Sequence, residues 1–216
     1  MQKTSRRLCR TLSRLDVRGA HNVPAHGGVV LAINHRSMLD GPLVFGFVDR
    51  PVSCLVKAEA FESKLRGILV NSGQIPVVRD TVDPAPVRLC LQLVRAGGII
   101  GVYPEGTRGD GLVRYAKPGV GWFALHSGAP VVPVAVTGTY EMTHRGLRRP
   151  RASLTFGEPL YFEKVPDGVP LNRRAVAAVT EQVRVRLAGL VADADARAAT
   201  LGAAGSHARL DAEHAA

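Results

Sequence analysis

The chain has 216 residues, 46% of them hydrophobic and only 5% aromatic, which suits a single domain with an aliphatic core. The formal net charge of +10 predicts a negatively charged partner: nucleic acid, an anionic membrane or a phosphorylated substrate. Three well-separated cysteines exclude a disulfide framework and favour reduced thiols, while the lack of a long apolar run or a signal peptide predicts a cytoplasmic protein without a transmembrane helix.

The first segment, residues 1–20, is strongly basic. Residues 2–18 carry six Lys or Arg residues against one acid, a net charge of 6 − 1 = +5. Leu8, Leu12 and Leu15 recur at helical spacing, which predicts a short basic amphipathic helix. Such a helix can lie on an anionic membrane surface. The alternative is a solvated helix that packs its leucines on the domain.

The middle segment, residues 21–191, alternates apolar strands with amphipathic helices. The predicted strands are residues 29–33, 52–56, 75–78, 99–103, 131–136 and 152–156. The predicted helices follow Asp40, span 59–70, open at Pro84 or Pro86, and span 119–127 and 172–190. This alternation predicts one α/β domain with a mixed, largely parallel sheet flanked by helices. The Ala-rich segment 192–216 is predicted to be a disordered tail.

The end of the first predicted strand is the most informative stretch. Asn34 and His35 follow it at once, and Asp40 comes five positions after His35. A histidine with a nearby carboxylate is a candidate general base with its orienting partner. Residues five apart diverge on a straight helix, so the two can meet only if His35 precedes a helix that Asp40 enters. A helix capped by Ser37, or one with Pro42 at its first position, has this property. The alternative is that Asp40 only caps a helix.

Four short blocks, in order, resemble the glycerolipid acyltransferase family, whose best-known members are 1-acyl-sn-glycerol-3-phosphate acyltransferases. They are Asn34-His35-x-Ser37-x-x-Asp40, Gly73-x-Ile75-x3-Arg79, Pro104-Glu105-Gly106-Thr107-Arg108 and Pro130-Val131-Val132-Pro133-Val134. The resemblance covers roughly residues 30–136. It implies a glycerol-3-phosphate acyltransferase-like fold.

The resemblance also implies a reaction. A fatty acyl group would move from acyl-CoA or acyl carrier protein to the free hydroxyl of 1-acyl-sn-glycerol-3-phosphate, giving phosphatidate in phospholipid biosynthesis. The thioester is a co-substrate, and no cofactor or metal is expected. A thioester is already activated, so the reaction needs a base for the hydroxyl rather than a serine or cysteine nucleophile.

The expected partners are the thioester donor, lysophosphatidate and an anionic membrane, with the protein peripheral on the inner face of the cell membrane. Two alternatives stay open. One is a different lyso-acceptor, such as another lysophospholipid, an amino-acid lipid or a glycolipid. The other is a non-catalytic membrane-bound lipid-binding module. Nucleic acid is not an expected partner, because the charge is concentrated near the N-terminus and no binding motif is present.

The expected site residues follow from these blocks and from the charged ends of the predicted strands. The expected catalytic residues are His35, Asp40 and Glu105. The expected substrate-binding residues are Arg79, Gly106, Thr107, Arg108 and Lys57. Among these, Arg79 is the first candidate for the acceptor phosphate, since a guanidinium grips phosphate in a bidentate way. Gly106 is expected to allow a tight turn. Glu105 has three open roles: to hold Arg79 or Arg108, to bond the acceptor glycerol, or to form a plain ion pair with Arg108.

Overall fold

A computed structural model describes residues 14–78, 83–144 and 151–214 of the chain. This part of the chain forms one sheet of seven strands. The strands are β1 (Arg14–Arg18), β2 (Val29–Ile33), β3 (Val52–Lys57), β4 (Ile75–Val77), β5 (Ile99–Val102), β6 (Val131–Thr137) and β7 (Arg151–Phe156).

Six α-helices and two short 3-10 helices lie between and after these strands in the described part. The α-helices are α1 (Asp40–Phe47), α2 (Arg66–Asn71), α3 (Ala85–Arg95), α4 (Gly119–Ser127), α5 (Thr139–His144) and α6 (Arg173–His214). The 3-10 helices span Ala20–Asn22 and Ala58–Glu62.

The sheet is mixed and mostly parallel, as the alternation of strands and helices predicted. Its strand order is β1-β7-β6-β2-β5-β3-β4, and only the β6–β7 pair is antiparallel. All five residues of β2 are buried, which is typical of a central parallel strand covered on both faces. The short β4, which contains Pro76, lies at the sheet edge as expected.

Two apolar layers cover the two faces of the sheet. One face of β2, through Val30 and Ala32, packs with α3, α4 and α6. The other face, through Val29, Leu31 and Ile33, packs with α1 and with residues of β6 and β7. Helix α1 therefore lies directly under the strand that leads to His35, and this packing fixes the place of the loop between them.

The structure corrects the prediction for the basic N-terminal segment. Residues Arg14–Arg18 form β1, which pairs in parallel with β7, so the predicted helix over residues 2–18 is wrong for its last five residues. Leu15 and Val17 pack against the core, and their separation of two residues is the period of a strand. Residues 1–13 lie outside the described part, so a membrane role for them stays a prediction.

The structure also corrects the predicted end of the domain. Helix α6 continues from Arg173 to His214, so the expectation of a disordered segment from residue 192 is wrong where the helix is described. Val191 and Ala194 are buried, and Asp195 is paired with Arg36. The predicted helix over 59–70 is instead a 3-10 helix followed by the shorter α2.

Two further predictions concern thiols and membrane spans. Cys54 and Cys90 are free and buried, as expected for reduced thiols, and Cys9 lies outside the described residues. None of the helices in the described ranges has the length and apolar character needed to span a bilayer.

Candidate active site

His35 and Asp40 are in direct contact at the carboxyl end of β2. The Nδ1 atom of His35 lies 2.9 Å from Oδ2 of Asp40, with the histidine side chain 21% exposed and the aspartate side chain fully buried. Since α1 begins at Asp40 and His35 precedes it in a loop, the geometry is the one that the five-residue spacing required. The tautomer with a proton on Nδ1 donates to the carboxylate and leaves Nε2 able to accept a proton.

Asp40 also holds the loop that carries His35. Its Oδ2 accepts hydrogen bonds from the backbone N–H groups of Arg36 (2.7 Å) and Ser37 (2.8 Å). Its Oδ1 accepts a hydrogen bond from Thr139 Oγ1 at 2.6 Å. One carboxylate therefore orients the histidine and holds its loop, whereas α1 has no side-chain hydrogen bond at its N-cap. Thr139 was missed by sequence reasoning because 99 positions separate it from Asp40.

Glu105 lies beneath the histidine loop, where it accepts hydrogen bonds from two backbone N–H groups. Its Oε2 accepts the backbone N–H of His35 at 2.8 Å, and its Oε1 accepts that of Val113 at 3.4 Å. No ion pair within the described ranges joins Glu105 to Arg108, which corrects the ion-pair hypothesis. Burial raises the pKa of Glu105, and its two N–H donors partly oppose this. Through these two hydrogen bonds Glu105 connects the histidine loop to the loop that follows β5.

Asn34 ties the strand end to its neighbours through a fully buried amide. Its Nδ2 donates to the carbonyl oxygens of Gly111 and Val136, and its Oδ1 accepts the N–H of Val136 at 2.7 Å. The N–H of Gly109 donates to the carbonyl of His35 at 3.0 Å. The first block of the sequence contained Asn34, but sequence reasoning gave it no role.

The loop after β5 is tightly folded against this site. Gly106 has a φ of 71°, a left-handed conformation that favours glycine, so the predicted tight turn is confirmed. Val113 has a φ of 53° and is fully buried, which is rare for a β-branched residue and typical of strained functional loops. The centroids of the Tyr103 and His35 rings lie 4.2 Å apart. Burial holds the pKa of the Tyr103 hydroxyl well above its usual value.

The predicted cations are not all equally close to His35. Lys57 ends β3, and because β5 lies between β2 and β3, it is about 10 Å from the histidine strand. Thr107 and Arg108 are exposed on the loop after β5. Lys117, which sequence reasoning missed, lies close against this loop. If Gly106 carried a Cβ atom, that atom would lie 2.8 Å from Nζ of Lys117. Arg79 lies outside the described residues.

Metal binding is not indicated in the part of the chain described by the structure. No group of three or more His, Cys, Asp and Glu side chains there is arranged to hold an ion.

A buried carboxylate that orients a histidine at the carboxyl edge of a mostly parallel sheet is an arrangement of α/β enzymes that take a proton from a hydroxyl. The protein class is thus an α/β enzyme. The model of the acyltransferase family matches residues 14–137, more than half of the chain. The chain belongs to the acyltransferase family.

Individual relatives agree with this assignment. A 1-acyl-sn-glycerol-3-phosphate acyltransferase of Bacillus subtilis (strain 168) is 29% identical over 181 residues, 80% of this chain and 86% of the relative. Another of the same name, from Borreliella burgdorferi, is 31% identical over 134 residues, 58% of this chain and 52% of the relative. The crystal structure of the 1-acyl-sn-glycerophosphate acyltransferase PlsC from Thermotoga maritima is similar with a TM-score of 0.63 and 23% identity, over 88% of this chain and 79% of that chain. This last match shows a shared fold.

Proposed function

We propose that the protein transfers a fatty acyl group from a thioester, acyl-CoA or acyl carrier protein, to the free hydroxyl of 1-acyl-sn-glycerol-3-phosphate, giving phosphatidate. The observation that carries this proposal is the 2.9 Å contact between His35 Nδ1 and Asp40 Oδ2. The names of the curated relatives support the choice of acceptor. Phospholipid biosynthesis is the corresponding process.

In the proposed reaction, His35 acts as the general base. Its Nε2 takes the proton of the acceptor hydroxyl as the oxygen attacks the thioester carbonyl carbon. The tetrahedral intermediate then collapses, the carbon–sulfur bond breaks, and the departing thiolate receives the proton from His35. Asp40 keeps the Nδ1 proton in place and stabilises the transient imidazolium. A positioned base of this kind contributes about 10²–10⁴-fold to a rate.

Glu105 is a positioning residue in this proposal, because its carboxylate holds the His35 backbone. The acceptor phosphate is assigned to basic residues that follow the predicted strands along the chain. Arg79 remains the first candidate, with Arg108 and Lys57 as the others, and Lys117 joins them because it reaches over the Gly106 turn. Gly106 and Thr107 belong to the loop that would border the substrate.

The acceptor is a membrane lipid, so we also propose that the protein works peripherally on the inner face of the cell membrane. The net charge of +10 supports an anionic membrane surface as a partner.

An acyl-transfer assay with the purified full-length chain tests the proposal. The donors are acyl-CoA and acyl-loaded acyl carrier protein, and the acceptors are lysophosphatidate, other lysophospholipids, a lyso-amino-acid lipid and a monoacylglycerol without phosphate. The proposal predicts phosphatidate as the main product and much weaker transfer to the phosphate-free acceptor. Preference for an acceptor without a phosphomonoester would refute the assignment of lysophosphatidate, and the absence of transfer to every acceptor would refute the reaction.

A further inference from the structure

The ring of Tyr103 packs against one face of the His35 imidazole. The two ring centroids lie 4.2 Å apart and the ring planes are inclined at 30°, so the contact is a tilted stack rather than an edge-to-face contact. Asp40 meets the same imidazole at Nδ1. The histidine is therefore held by a carboxylate at one nitrogen and by an aromatic ring against its face.

Strand pairing places Tyr103 beside the loop that carries His35. β5 ends at Val102, which is the register partner of Ala32 in the parallel strand β2. Tyr103 is thus the first residue beyond β5, and the histidine loop begins just beyond β2. The carbonyl of Tyr103 accepts the N–H of Gly106 at 2.9 Å, so the backbone of Tyr103 is also fixed by the turn that follows.

The hydroxyl end of the Tyr103 ring lies against the first turn of α1. If Gly41 carried a Cβ atom, that atom would lie 3.4 Å from the Tyr103 hydroxyl oxygen and 3.4 Å from two ring carbons of Phe45. Glycine at this position therefore leaves room for both rings. Tyr103 also packs against the apolar layer that contains Leu43. These contacts, together with the turn at its backbone, fix the ring beside the imidazole.

The stacked imidazole gains a positive charge during the proposed reaction. His35 is neutral before the reaction and becomes an imidazolium as its Nε2 takes the hydroxyl proton. A cation that lies over the face of a tyrosine ring, within about 6 Å of its centroid, is attracted by the negative face of the ring. The Tyr103 ring itself stays neutral, because burial raises the pKa of its hydroxyl. The attraction is therefore stronger in the transition state than in the ground state, and such a difference accelerates the chemical step.

We propose that Tyr103 is a positioning residue that stabilises the imidazolium form of His35 through the face of its ring. The proposal rests on the proposed function, in which His35 is the general base. Asp40 supplies a negative charge at Nδ1, and Tyr103 supplies the electron-rich face of its ring. The proton still moves from the acceptor hydroxyl to Nε2 of His35 and then to the departing thiolate, and Tyr103 neither gives nor takes a proton.

A fluorinated series tests the charge distribution of the ring while its shape stays nearly constant. The single-turnover rate of phosphatidate formation is measured on the full-length chain, with the thioester donor that supports the faster wild-type reaction. Tyr103→Phe keeps the ring and should react within about twofold of the wild type. One, two and three fluorine atoms on the introduced phenylalanine withdraw electrons from its face in steps. We expect the rate to fall by about twofold per fluorine, whereas a role in packing alone predicts equal rates.

Removal of the ring is compared with a matched control in the same chain. Tyr103→Leu should lower the single-turnover rate by about tenfold or more, and Tyr103→Phe should restore it. Trp122 stacks on His126 with centroids 4.0 Å apart and planes inclined at 36°, and it packs against the apolar layer on the other face of the sheet. Trp122→Leu removes this similar stack from α4 and should react at the wild-type rate. The thermal midpoints of both leucine variants are measured first, so that a loss of folding is recognised.

The stack itself is tested by NMR without any reaction. The ring protons of His35 should have an upfield ring-current shift in the wild type and in Tyr103→Phe, and this shift should be absent in Tyr103→Leu. Three results would overturn the proposal: equal rates across the fluorinated series, a folded Tyr103→Leu protein with the wild-type rate, or His35 signals that are the same in Tyr103→Leu and the wild type. Failure of the proposed function is recognised separately, because the wild-type protein would then form no phosphatidate although the ring-current shift of His35 is present.

Discussion

Arg36 and Asp195 form a two-point ion pair between the histidine loop and helix α6. The guanidinium Nη1 and Nη2 atoms of Arg36 donate to Oδ1 and Oδ2 of Asp195 at 2.9 and 2.6 Å. Arg36 directly follows His35, and its own backbone N–H donates to Asp40 at 2.7 Å. The C-terminal helix is therefore connected to the His35–Asp40 pair through one side chain.

Replacing Asp195 tests whether this connection positions the site. In Asp195→Asn the mostly buried Arg36 side chain loses its countercharge, and its Nε atom already lacks a partner in the described structure. We expect a loss of about 1–3 kcal/mol in the free energy of unfolding. We also expect about a tenfold fall in kcat with little change in the acceptor KM, both measured on the purified protein. Asp193→Asn, an exposed position on the same helix, is the matched control. A variant that is less stable but keeps its full kcat when folded would show that the pair is only structural.

Thr139 is predicted to support the orienting carboxylate. Thr139→Val has nearly the same shape but removes the hydroxyl that donates to Asp40 Oδ1. We expect about a tenfold lower kcat, because a net hydrogen bond to a charged group contributes about 1.5–3 kcal/mol. Thr139→Ser retains the hydroxyl and should recover most of the rate. Equal kcat values for the valine and serine variants would contradict a role of this hydrogen bond.

Arg79 is predicted to bind the acceptor phosphate. Arg79→Ala should raise the KM for lysophosphatidate by about 10–100-fold, the range that one charged hydrogen-bonding group supplies, and leave the donor KM nearly unchanged. Arg88→Ala, at an exposed position on α3, is the control. The assay is repeated with a monoacylglycerol, and an equal effect on that acceptor would refute the phosphate assignment.

The two buried thiols are predicted to be unreactive in the folded chain. Burial raises the pKa of Cys54 to about 12 and that of Cys90 to about 11, so both stay protonated near pH 8. Iodoacetamide should modify neither residue until denaturant is added, as mass spectrometry of the peptides reports. Rapid modification of Cys54 in native protein would contradict its burial.

The same thiols predict a direction for stability against pH. An unfolded cysteine ionises near about pH 8.5, whereas the folded thiols hold their protons to a higher pH. Their contribution to the free energy of unfolding is complete below about pH 8.5 and is lost as the pH rises from there toward the folded values. Urea unfolding over this range should have a smaller pH slope in Cys54→Ala than in the wild type.

The parts of the site that sequence patterns predicted are local in the chain. The apolar run of β2, the abrupt polar start at Asn34 and the five-residue spacing to Asp40 required a loop followed by a helix, and the structure has this geometry. Residues far apart in sequence completed the site: Thr139 reaches Asp40, and Glu105 reaches the His35 backbone across 70 positions. The hydrophobic periodicity of a sequence carries no information about contacts between residues so far apart.

Two of the errors in the predicted fold have clear physical reasons. Leu15 has the spacing of a helix with Leu8 and Leu12, but also the spacing of a strand with Val17. The strand forms because Arg14–Arg18 pairs with β7, which is far away in the sequence. The Ala-rich end of α6 has few large apolar residues, so its sequence shows no clear helical periodicity. Its helix nevertheless continues past Val191, because the small side chain of Ala194 is buried against the core and Asp195 meets Arg36.

The rate of phosphatidate formation by His35→Ala is the measurement that tests the central proposal most directly. The full-length variant and the control His21→Ala, an exposed histidine, are assayed with saturating acyl donor and lysophosphatidate after their thermal midpoints are compared with the wild type. We expect a normally folded His35→Ala protein whose rate is lower by at least about 10²-fold, and a control with the wild-type rate. A folded His35→Ala protein that forms phosphatidate within a few-fold of the wild-type rate would contradict it.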